Sequence, residues 1–124
     1  MIKMIILFTA IWGVESQYRL TPPDGKAGEV GPLQIRQCVI SDWNAAHPED
    51  QLQLDDARGI LVARKVFCWY VTYWGAQATR RYGHIPSMES YARIWNGGPK
   101  GYLRRSTKDY WKKVESELKM LKDN

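Results

Sequence analysis

The chain has 124 residues, with 18 Lys and Arg against 13 Asp and Glu for a formal net charge of +5. That length predicts one domain over residues 1–124 with a single core, and an apolar share of 44% excludes a disordered chain. Two cysteines exclude a disulfide scaffold and a zinc finger, and no apolar run reaches the ~18–20 residues that cross a bilayer.

Residues 2–16 read as a strongly apolar first helix. One Lys followed by apolar residues imitates a signal peptide, but the pattern runs on through Ile11, Trp12 and Val14 into Glu15-Ser16 with no small-residue processing site. A buried helix is therefore expected, with any export signal lying elsewhere. Pro22-Pro23-Asp24-Gly25, Gly28 and Gly31-Pro32 punctuate a loop over 17–33, in which Glu29-Val30 and Leu33-Gln34-Ile35 are expected to pair as a small hairpin. A short helix follows over 37–46 with Val39, Ile40 and Trp43 on one face. Asp55 and Asp56 are expected to open a long helix carrying Ile60, Val66, Phe67, Tyr70, Val71 and Trp74. Gly75 is a candidate interruption of it and Gly83 its end. Ser87 starts the next helix, which Asn96-Gly97-Gly98-Pro99 stops, and Trp111, Val114, Leu118 and Leu121 stripe the last. The sum is an α+β domain, mainly α.

Glu15 ends an otherwise apolar helix, beside Trp12 and Val14. Burial raises a carboxyl pKa, and a carboxylic acid kept protonated near neutral pH is what general acid catalysis uses. The same position also suits an acid at the first exposed turn after a core helix. Asp24, in a turn, supplies a second carboxylate of the kind glycoside hydrolysis requires, and Glu29 competes with it. His47 and His84 lack metal-ligand spacing, so no metal or other cofactor is expected. Cys38 and Cys68 read as small buried hydrophobes. Lysines and arginines crowd residues 100–122, which fits a solvated helix face or a surface holding an anionic partner. Six Trp and seven Tyr suit stacking on sugars or bases.

Three blocks in order resemble the invertebrate-type lysozyme family: Val14-Glu15-Ser16; Gly31-Pro32-Leu33-Gln34-Ile35-Arg36; and Tyr91-Ala92-Arg93-Ile94-Trp95-Asn96-Gly97-Gly98-Pro99-Lys100-Gly101 with Ser106-Thr107 and Tyr110-Trp111 downstream. The bacterial soluble lytic transglycosylases share a looser version. The resemblance implies a lysozyme-like fold and cleavage of the β-1,4 link of peptidoglycan by a secreted or cell-envelope enzyme. Glu15 would be the general acid. Counting back from Gly31, Asp24 falls where that family carries its second catalytic Asp. Gln34, Tyr91, Trp95, Asn96, Gly97 and Gly98 would bind substrate. The chain departs from the family in keeping only two cysteines and in placing Trp95 where a His is frequent, which suits a cysteine-poor bacterial or phage-like relative. Peptidoglycan strands, with chitin oligosaccharides as the alternative glycan, are thus the expected partner of a monomer, with neither nucleic acid nor a membrane span. A lytic transglycosylase using Glu15 alone and a non-catalytic glycan-binding module are the alternatives.

Overall fold

The computed structural model describes residues 3–123. Five helices carry the fold: α1 (Met4–Ser16), α2 (Gln37–Ala46), α3 (Ile60–Tyr82), α4 (Met88–Gly97) and α5 (Lys108–Asp123). The first helix therefore forms as expected, although Ile2, placed at its start from sequence, lies outside the described residues.

Long α3 is the central element. It buries Ala63, Val66, Phe67, Val71, Gly75 and Ala78 along one face. Phe67 is the hub: its ring lies 6.2 Å from Phe8 of α1 and 5.1 Å from Trp95 of α4. Side chains such as Phe67, Leu7, Ile11 and Ile94 are fully buried, each worth roughly 1.5–3 kcal/mol of transfer free energy. α1 lies against α5, α3 and α4, so the first helix of the chain is enclosed by the last three.

Three expectations need correction. No sheet forms among the described residues, and the fold is mainly helical rather than α+β: the expected hairpin reduces to one antiparallel bridge, Val30 to Ile35. Both of its hydrogen bonds are made, at 3.0 and 2.9 Å, but the pairing cannot extend. Arg36 leads at once into α2, while the Glu29 carbonyl is taken by Gly25 N–H at 2.8 Å. Asp55 and Asp56 sit in a separate 3-10 turn (Leu54–Arg58), capped by reciprocal bonds between Gln53 and Asp56, and α3 starts afterwards at Ile60. Cys38 is exposed and Cys68 half-buried, both free. Cys38 misses burial because the apolar face of α2 is Val39, Ile40 and Trp43.

Gly75 does not break α3. Tyr91 of α4 lies on it so closely that a Cβ there would stand 2.6 Å from the ring. Gly83 ends α3 in the left-handed conformation, φ 66°, as its position suggested.

Candidate active site

The C-terminus of α1 is turned sharply. Gln17 and Tyr18 are both left-handed, with φ 57° and 64°, a conformation that costs roughly 1–2 kcal/mol for each non-glycine residue. Local bonds offset the cost. Gln17 N–H donates to Gly13 O (2.9 Å), Arg19 N–H to Ser16 O (3.1 Å), and the Trp12 indole to Arg19 O (2.8 Å). Buried Ser16 donates its hydroxyl proton to Pro32 O at 2.8 Å, tying the helix end to the turn that carries Gln34. The Glu-Ser pair thus divides its work: Ser16 anchors the helix end while Glu15, beside it, faces a cleft.

That cleft, of about 300 Å³, is lined by Glu15, Glu29, Gln34, Arg36, Trp95, Asn96, Gly97 and Gly98, with Tyr70 and the start of α2 closing one side. Five sequence-predicted binding residues therefore meet around the candidate acid: Gln34, Trp95, Asn96, Gly97 and Gly98. Tyr91, the sixth, is spent on packing against Gly75. Gln34 is held left-handed at φ 53°, and its side-chain amide donates to Gly31 O at 2.9 Å. Strained backbone in a cleft residue is where functional sites store strain.

Glu15 is pushed up to about 7 from an ordinary 4.5, above all by burial and also by the negative charge of Glu29. Tyr110 opposes the shift by donating its hydroxyl proton to Glu15 Oε2 at 2.6 Å, and Arg36 and Lys113 oppose it more weakly. Tyr110 is itself held well above the usual phenol range, first by burial and then by Glu15. Glu29 goes the other way. Its carboxylate stays below the ordinary range because its own backbone N–H and that of Ala27 (2.7 Å) donate to it, with Arg36 helping. Two carboxyls on one cleft are therefore biased apart, Glu15 toward its protonated form and Glu29 toward its ionised one.

Asp24 lies outside the cleft lining. Arg58 grips it with two bonds, 2.7 and 3.1 Å, and lowers its pKa. The opposite wall hangs on Arg93. Its guanidinium donates to Thr107 Oγ1 (2.8 Å), Arg104 O (2.9 Å) and Glu89 (2.8 Å). Thr107 in turn donates to Gly101 O at 2.7 Å, and a Cβ on Gly101 would strike the Arg93 carbonyl. The Arg, the Gly-Gly-Pro loop and the downstream Thr are one hydrogen-bonded unit.

Sequence reasoning did not give Tyr110 a role at the site. It stands 95 residues from Glu15, and its adjacency to Trp111 in a recognisable block was the only signal. No group of three or more His, Cys, Asp or Glu able to hold a metal ion is gathered among the described residues.

No family model matches the chain. A 42-residue segment is 45% identical to Lysozyme 1 of Crassostrea virginica. The match covers 34% of this chain and 23% of that protein, so the chain spans under a quarter of the relative it resembles. The likeness to a lysozyme is therefore partial, and it is the family indication the chain carries.

Proposed function

We propose that the chain is a lysozyme-type glycoside hydrolase acting on β-1,4 links of peptidoglycan, outside the cytoplasm or in the cell envelope. The observation that carries this is Glu15: a carboxylic acid with its pKa near 7, at a cleft also bordered by an ionised Glu29. Carboxyls whose environments drive their pKa values apart mark an acid and a charge stabiliser. Glu15, protonated, donates to the glycosidic oxygen. The oxocarbenium-like centre that develops is stabilised by carboxylate charge. Glu15, now ionised, takes a proton from the attacking water and is restored. Tyr110 holds the carboxyl in one orientation throughout.

The second carboxylate is assigned here to Glu29. Asp24, which the family resemblance suggested, is engaged by Arg58 and takes the part of a loop anchor. That engagement also favours one second reading, a lytic transglycosylase in which Glu15 serves alone and the sugar's own hydroxyl attacks.

Mass spectrometry of products from purified peptidoglycan tests both. Reducing-end muropeptides that vanish with Glu15→Gln and fall steeply with Glu29→Gln support the two-carboxylate hydrolase. A steep loss with Asp24→Asn and none with Glu29→Gln returns the role to Asp24. Anhydro-muropeptides move the assignment to the transglycosylase. Binding without release of fragments leaves a glycan-binding module.

A further inference from the structure

A second concavity, about 690 Å³ and larger than the catalytic cleft, lies between the start of α1 and the far half of α5. Its apolar lining includes Ile5, Ile6, Trp111, Leu118 and Leu121. Ile5 is 62% and Ile6 37% exposed, on a helix whose other apolar residues fill the core. Nothing in the catalytic reading uses this face, and none of the described residues covers it.

The charges around it are one-sided. Lys3, Lys119 and Lys122 border the groove against one acid, Glu115, with Asp123 next in sequence to Lys122. Lys119 and Lys122 close the basic run that marks residues 100–122. Isoleucines and a tryptophan ringed by lysines match an anionic lipid surface: the apolar groups enter the acyl boundary while long lysine stems carry their ammonium heads to the phosphates. A second copy of the chain fits less well, since a two-fold contact would set like basic rims against each other.

We propose that this groove seats the protein on an anionic lipid bilayer as a peripheral contact, separate from the catalytic cleft. No helix among the described residues is long and apolar enough to cross a membrane, and none is needed for a contact of this kind.

The test is partition of the full chain onto vesicles of phosphatidylcholine with one quarter phosphatidylglycerol, beside pure phosphatidylcholine, at moderate salt. Binding to the anionic vesicles alone is expected. Lys119→Gln/Lys122→Gln should weaken it roughly thirtyfold, from about fivefold per lysine near such a surface. Ile5→Ser/Ile6→Ser should weaken it comparably while leaving the cleavage of soluble glycan fragments unchanged below the variant's own thermal midpoint, because Ile5 is 62% and Ile6 37% exposed and neither lines the cleft. Failure to bind anionic vesicles overturns the proposal. So does binding that the lysine pair abolishes and the isoleucine pair leaves intact, which is adsorption without the groove. A dimer in sedimentation velocity that Ile5→Ser/Ile6→Ser dissolves also overturns it, by giving the groove to a second copy.

Discussion

On one side of the cleft, residues 93–107 hang on Arg93, a guanidinium left 8% exposed and bonded to two backbone-anchored oxygens and one acid. On the other, residues 22–36 hold by apolar burial of Val30, Leu33 and Ile35, by one bridge and by the Ser16–Pro32 bond, while their charged tie, Arg58–Asp24, has both side chains about half exposed at 46% and 50%. Charge-assisted bonds out of water are strong and costly to lose, whereas exposed pairs contribute little. The cleft therefore has one wall fixed by buried charge-assisted bonds and one held by apolar burial but yielding in its charged tie, with Glu15 anchored between them through Ser16 and Tyr110.

The largest effect is expected at the point shared by both walls. Glu15→Gln should lower turnover of peptidoglycan by roughly 10²–10⁴-fold, the usual worth of a general acid, with the fold retained. Steady-state release of reducing ends checks this.

Arg93→Ala tests the fixed wall. It removes a nearly buried side chain together with its bonds to Thr107 Oγ1, the Arg104 carbonyl and Glu89, and should cost about 3 kcal/mol in urea unfolding.

A change of similar size should appear in the pH dependence. The folded chain keeps the Glu15 proton to about 7, while the unfolded chain releases it near 4.5. Between those values the folded state binds more protons, so this contribution is fully present below about 4.5 and is lost as pH rises through about 7. It amounts to about 3 kcal/mol. Glu15→Gln does not titrate, so its stability relative to the parent chain should rise across that window; a constant difference between pH 4.5 and 7.5 would contradict the raised pKa. Activity should fall on the same alkaline limb.

Tyr110→Phe should act more gently. Its bond favours the ionised form, so removing it should move the alkaline limb of the pH–rate profile upward and lower turnover modestly.

The smallest effect belongs to the yielding wall. Asp24→Asn should leave the unfolding midpoint and turnover close to those of the parent chain, since Arg58 keeps Asp55 as a partner at 2.6 Å. A large loss of turnover would give the second catalytic role back to Asp24.

The fixed wall was the more legible of the two. Gly97-Gly98-Pro99 stops a helix by backbone chemistry that local sequence displays, and Trp95, Asn96, Gly97 and Gly98 line the cleft. α2 and α3 could be read from their apolar spacing. The yielding wall misled because its short apolar alternation, Val30 to Ile35, looks like strand pairing when taken alone. Gly31 at φ 77° and Gln34 at φ 53° close it into a turn instead. Gly31 is also pressed against the Ala57 carbonyl, a contact no local pattern announces. Gly75 misled for the same reason: its use is to seat Tyr91, sixteen residues on. Glu15 was legible as a candidate acid, while the phenol that holds it was not, because hydrogen bonds across 95 residues leave no periodicity.

The bond between Tyr110 and Glu15 also bears on time. Tyr18 reaches the same last helix, donating to Glu117 at 3.0 Å. During synthesis Glu15 leaves the ribosome 95 residues ahead of Tyr110. Contacts of such long sequence separation form late in folding. A nascent or C-terminally clipped chain therefore carries Glu15 without the phenol that orients it. The contact that orients Glu15 is made only when α5 docks, so a cut anywhere between α1 and α5 removes it while leaving the acid in place.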